Sequence, residues 1–164
     1  MALAEEISGE WEMDLSASDN ISPLLRELGL NAILSAVVAR LSVRQSISVS
    51  TDAINIHVKT RVSKDTLVLP LDGTPVAVPG LSGGQAAAVS GWLDDECTQF
   101  CTRQSLCQVQ DSNVAAAAAD LAKEAFVTLR FLRGATLIES NTIVRGGVEL
   151  AEPRAERVLR RVAG

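Results

Sequence analysis

Tyrosine is absent from this 164-residue sequence, and aromatic residues make up only 3% of it. A core must therefore be assembled from Leu, Val, Ile and Ala, with Trp11 the one early aromatic able to plug it. Histidine occurs once, as His57, so a Ser-His-Asp triad would have to use it, and no neighbouring residues support one. Cysteine occurs three times, at Cys97, Cys101 and Cys107. That odd set lacks the tight paired spacing and fourth ligand of a zinc site, so no metal and no cofactor is expected, and the thiols read as reduced groups in the cytoplasm. No run approaches the roughly 18 apolar residues of a membrane span. "MALAEEISGEW" has neither the basic start nor the long apolar stretch of a signal peptide. Positive charge is short too: the net charge of −5 argues against a dedicated nucleic-acid binder, which needs Lys and Arg for phosphates. "GLSGG" lacks the Lys-Ser/Thr of a phosphate loop and reads as a hairpin tip, and Asp94 to Glu96 as a solvated turn.

What is present is ordinary for a soluble globular chain: 47% hydrophobic and 21% charged residues. The length suits one domain, 1–164, with no repeat and no dividing linker. "ISGEWEMDL" reads as a first strand, with Ile7, Trp11 and Met13 on one face. A helix pair follows, over about 21–40. Ser22 can cap the first helix, Pro23 suits its first turn, Leu24, Leu25 and Leu28 follow at helical spacing, and Gly29 is a stop. Asn31 can cap the second, with Ile33, Leu34, Val37 and Val38 on an apolar side. After Leu41 the period changes to two. "SVRQSISVS" carries Val43, Ile47 and Val49 on one face, and "INIHVKTRV" carries Ile54, Ile56 and Val58 opposite Asn55, His57, Lys59 and Arg61. "TLVLPL", "TPVAV", "QAAAVSGWL" and "TQFCTRQSLCQVQ" supply further strands. An Ala-rich insertion at about 112–124, capped by Ser112 or Asn113, reads as a short helix before the last three strands, "FVTLRFL", "ATLIESNTIV" and "ERVLRRV". Arg133–Gly134 is a hairpin turn. The sum is a mainly β chain of about ten short antiparallel strands with a two-helix cap after the first, best closed into a barrel that leaves no exposed edge.

The last strand is unusual. Arg157, Leu159 and Arg161 alternate onto one face, and Val158, Arg160 and Val162 onto the other, so both faces mix charge with apolar surface. Arg154, Arg157, Arg160 and Arg161 could instead form a basic patch for an acidic partner or an anionic membrane surface, although only some can share a face.

The order of elements resembles the intracellular fatty-acid-binding protein family, the cytosolic branch of the lipocalin-like barrels. "ISGEW" is similar to that family's opening strand, "SDNISPLLRELGLNAILSAVVARL" to its helix pair, "TLRFLRGATLIES" to a late hairpin with an inward arginine, and "ERVLRRV" to a final strand whose usual pattern is Arg-x-Tyr. The likeness runs from about Ile7 to Val162 and is weak from Pro70 to Glu124. It implies a monomeric carrier of a small hydrophobic ligand such as a fatty acid, entered through the helix pair, with Arg130 and Arg157 holding a ligand carboxylate. The tyrosine of the pattern is Leu159 here, which places Leu159 in the implied ligand site but removes a head-group hydroxyl.

On physical grounds a buried arginine is costly unless paired, and a guanidinium matches a carboxylate bidentately. Arg130 and Arg157 either face the lumen and await an anion, or face outward and pair with carboxylates such as Glu139 or Glu156. Two other functions remain open: a barrel enzyme of isomerase type, for which His57 is the obvious general acid–base, and an interaction module whose barrel is filled by its own side chains.

Overall fold

A computed structural model describes residues 2–163. In chain order the elements are α1 (Ala2–Ile7), β1 (Gly9–Met13), α2 (Ser22–Glu27), α3 (Ala32–Ala39), β2 (Arg44–Val49), β3 (Ala53–Lys59), β4 (Lys64–Pro70), β5 (Val76–Pro79), β6 (Gln85–Trp92), β7 (Phe100–Gln104), α4 (Val114–Ala118), β8 (Ala125–Arg133), β9 (Thr136–Arg145), β10 (Val148–Glu149) and β11 (Ala155–Arg161). The strands form one antiparallel sheet in the order β4-β3-β2-β1-β11-β9-β8-β7-β6-β5, with the two-residue β10 beside β9. The order begins at β4 and ends at β5, so the wall is a nearly closed barrel whose seam lies between those strands. The two-residue turn between β8 and β9 uses Gly134 at φ +63°, a conformation that costs other residues a Cβ clash.

Period-two alternation places Trp11, Met13, Val43, Ile47, Ile54, Ile56, Leu69, Phe100, Leu137 and Leu159 on the inner surface, where they pack as one apolar cluster. The helix cap seals a second cluster: Ile21, Leu24, Leu25 and Leu30 pack on Phe126, Ile143 and Ala155. Gly29 at φ +95° ends α2 and turns the chain into α3, whose first turn is capped by the Asn31 side chain accepting from the Leu34 N–H at 2.8 Å.

Several expectations are corrected. Ile7 is not in the first strand; it closes α1, a helix the alternation reading missed because the turn is too short for periodicity to register. Ser22 is the first residue of α2, not its cap; the Asn20 carboxamide accepts from the Ser22 N–H instead. On α3 the apolar side faces outward: Ile33 is 80% exposed, and Leu34 and Val37 are exposed with it. The helix approaches the barrel through Ser35, which is fully buried, and through Val38 and Ala39, because small side chains let it lie close. The strand read across "TQFCTRQSLCQVQ" stops at Gln104, because the Ala87 N–H donates to the Ser105 hydroxyl at 2.9 Å in place of the next backbone carbonyl. The Ala-rich helix α4, capped by Asn113, precedes four strands rather than three, the extra one being β10.

The passage from α1 to β1 rests on Gly9, at φ +133°. A Cβ there would lie 2.6 Å from Arg161 Nη1. That guanidinium stacks on the Trp11 ring at 4.4 Å and donates to the Ser8 carbonyl at 2.9 Å and to the Glu6 carbonyl. Trp11 in turn donates from Nε1 to the Ile7 carbonyl at 2.8 Å, so one end of the barrel is closed by a stacked and hydrogen-bonded plug. Gly9→Ala should therefore lose about 1–3 kcal/mol of stability in urea unfolding. An unchanged midpoint would show that Arg161 swings away freely and the backbone carries no strain.

Candidate functional site

Residues paired across an antiparallel ladder project to the same side of the sheet. Arg157 on β11 is opposite Glu139 on β9, and Glu139 is opposite Arg130 on β8. Thr128 pairs with Thr102 on β7, and Thr102 with Ser90 on β6. On the other flank, Gln45 of β2 sits opposite Trp11, on the same inner face. A band of polar side chains thus runs around the inside of an otherwise aliphatic barrel.

Its centre is Glu139, 3% exposed. Glu139 Oε1 accepts from Arg130 Nε at 3.0 Å and from Gln45 Nε2 at 2.8 Å, the latter reaching past β1 and β11. Arg130, 8% exposed, also donates from Nη1 to the Thr102 hydroxyl at 3.4 Å, and the Ser90 hydroxyl donates to the same oxygen at 3.3 Å. Asn141 anchors the base of the band: it accepts from the Thr128 hydroxyl at 2.9 Å and donates to the Glu139 and Ala155 carbonyls at 3.2 and 3.4 Å. Arg157, half-buried, donates from Nη2 to the Met13 thioether at 3.2 Å, and among the described residues no carboxylate lies within ion-pair distance of it.

Burial pushes the Glu139 carboxyl up, but the Arg130 and Arg157 charges, with hydrogen bonds from Gln45 and Arg130, outweigh it and hold the group below the ordinary 4.5. For Arg157 burial works downward, Glu139 opposes it and Arg130 adds to it, with a net lowering. The site therefore contains an ionised carboxylate between two guanidinium groups, an excess of one positive charge.

Arg130 and Arg157 both point inward and are brought together through Glu139. Leu159 is fully buried in the apolar cluster beside its partner Leu137, part of the wall and not of the polar band. Glu139, offered above as a surface partner, pairs with Arg130 inside the barrel; Glu156 pairs with Arg133 on the outside. The basic patch does not form: Arg154 pairs with Glu149, Arg160 with Asp14 at 2.6 Å, Arg161 stacks on Trp11 and Arg157 turns in. His57 is exposed on the outer face, 2.9 Å from the Thr66 hydroxyl, so the enzyme reading loses its general base. Cys97, Cys101 and Cys107 are free thiols, and the described residues contain no cluster of three metal-ligating side chains. Gln45 was not read from the sequence as a site residue, and Glu139 was read only as a surface partner of the arginines. The available signal was polar residues interrupting an apolar face, Gln45 between Val43 and Ile47, and Glu139 with Asn141 between Leu137 and Ile143.

Removing one member of a buried pair leaves an uncompensated charge, so Glu139→Gln should cost about 3–5 kcal/mol. Because the folded carboxyl titrates below 4.5, its contribution is fully present above that pH and is lost as pH falls through the lowered value. The stability gap between wild type and Glu139→Gln, followed by thermal unfolding, should be constant above about pH 5 and narrow in acid. A gap that widens in acid would mean that the group is not held ionised.

No family model and no curated protein matches the chain. Solved structures do. A lipid-binding protein of Caenorhabditis elegans, LBP-8, is 12% identical with a TM-score of 0.68, covering 96% of each chain. A fatty-acid-binding protein of Schistosoma mansoni, in complex with arachidonic acid, is 12% identical with a TM-score of 0.70 over 98% of each chain. A mutant of the fluorescent protein UnaG is 14% identical with a TM-score of 0.71, covering 98% of this chain and 99% of its own. At such identities what is shared is the fold: the nearly closed barrel with its helix pair after the first strand is that of the fatty-acid-binding proteins.

Proposed function

We propose that the protein binds and carries a small hydrophobic ligand inside its barrel, the polar head at Arg157 and Arg130 and the chain along the aliphatic wall that includes Leu159. One observation carries this reading: two inward guanidinium groups face a single buried carboxylate, which bonds Arg130, and among the described residues Arg157 has only a thioether as its hydrogen-bond acceptor. An uncompensated cation in a low-dielectric interior favours a polar ligand beside it. Burial of the ligand's chain supplies about 25 cal/mol per Å² of apolar surface. The Schistosoma protein of the same fold holds a fatty acid, arachidonic acid, which makes a fatty acid the first ligand to test.

Binding requires the packed wall to part, since Ile54, Ile56, Leu69, Phe100, Leu137 and Leu159 are essentially unexposed. The helix pair is the proposed entry. Its outward Ile33, Leu34 and Val37, with Arg40 adjacent, suit transient contact with a membrane surface from which such a ligand would be drawn. No helix among the described residues is long and apolar enough to cross a membrane. The reading is of a monomeric, non-enzymatic carrier in the cytosol, where free thiols persist.

Native mass spectrometry of the purified protein should find co-purified or added lipid at one equivalent. Arg157→Leu, with its circular dichroism unchanged, should bind it at least about tenfold more weakly. Failure to retain or take up any lipid would instead leave a barrel filled by its own side chains, and undiminished binding by Arg157→Leu would remove the head group from this site.

A further inference from the structure

Gln45 contains a buried polar atom without a partner among the described residues. Its Nε2 donates to Glu139, but among the described residues Oε1 has no hydrogen-bond partner, although Gln45 is only 3% exposed. The orientation is fixed by chemistry: turning the carboxamide over would set its oxygen against the Glu139 carboxylate, acceptor against acceptor. An orphan acceptor inside a barrel costs free energy, and a ligand that donates to it recovers that cost.

Glu139, which Gln45 touches and which Arg157 and Arg130 face, defines what could do so. Glu139 takes both of its hydrogen bonds on Oε1, and among the described residues Oε2 accepts none. Acceptors are therefore in surplus on the Gln45–Glu139 side, while Arg157 offers unused donors. A carboxylate only accepts. It would suit Arg157, but it would place a second negative charge beside Glu139 and leave Gln45 Oε1 unpaired. An ammonium would donate to Gln45 but meet Arg130 and Arg157. A neutral group that both donates and accepts uses all the groups on offer.

Resting on the carrier reading above, we infer that Gln45 and Glu139 make the site selective for a lipid with a neutral, hydrogen-bond-donating head, a long-chain alcohol or primary amide, over the matching carboxylate. The head donates to Gln45 Oε1 and accepts from Arg157. Glu139 serves twice, neutralising Arg130 and repelling a ligand anion.

The test is a competition among hexadecanol, hexadecanamide and palmitate for the purified full chain at neutral pH, read by native mass spectrometry. The unmutated protein should prefer the alcohol and the amide to palmitate by at least about tenfold. Gln45→Met keeps the Arg130–Glu139 pair and should abolish that preference, mainly by weakening the neutral ligands. Palmitate binding as tightly as the neutral compounds, or tighter, overturns the inference and leaves the carrier reading intact. So does a preference that survives in folded Gln45→Met. If none of the three binds and no lipid co-purifies, it is the carrier reading that fails. The ranking by wild type decides the question even if the variant does not fold.

Discussion

Inside a barrel lined with isoleucine, leucine and valine, an ionised carboxylate is held between two guanidinium groups. Glu139 and Arg130 are bonded at 3.0 Å with almost no access to water, and Arg157 faces the same carboxylate from the adjoining strand. Desolvating these charges is expensive, and a well-packed apolar substitute would serve stability as well or better. The arrangement persists only because strands from both flanks converge on it: β8, β9 and β11 bring the charges, β2 brings Gln45, and β6 and β7 bring Ser90 and Thr102. The hydrogen-bond geometry of the band thereby ties together strands that are distant in the chain.

The barrel divides by polarity. The Trp11 end is shut, with Arg161 stacked on the indole and Gly9 making room for it. The mid-zone holds the charged band, and the helix pair covers a second apolar cluster around Phe126 and Ile143. For the proposed ligand, aliphatic walls would give the chain affinity without direction, whereas the band would give direction through its unpaired atoms. On the proposed carrier reading, the polar groups serve recognition at some cost to stability.

Much of this was legible in the sequence. Strict alternation at Ile54 and Ile56, the caps at Asn31 and Asn113 and the Gly134 turn are local signals, and local structure follows them. The inward direction of Arg157 is not one of them: alternation puts an arginine beside apolar residues on both faces of the last strand, the family resemblance implies the inward choice, and the pairing of Arg157 with Glu139 shows it. The site's logic was not legible, because it depends on which strands meet across the lumen. Glu139 is one alternation away from the outer face and reads as a surface carboxylate until its pairing with Arg130 and Arg157 is known. Gln45 reads as an interruption of the Val43–Ile47 face until it is seen to reach Glu139 from β2. The outward turn of Ile33 and Val37 was equally hidden, since helical periodicity marks an apolar side without saying that small Ser35 is the one buried.

The ionisation of Glu139 tests this account most directly. With selectively ¹³C-labelled glutamate, assigned by comparison with Glu139→Gln, the side-chain carboxyl resonance can be followed through an acid titration of the folded protein. A carboxylate bonded to Arg130 and faced by Arg157 titrates below 4.5, its ordinary value. Protonation at or above that value would mean that the guanidinium groups do not surround it, and the charged interior on which the site depends would be absent.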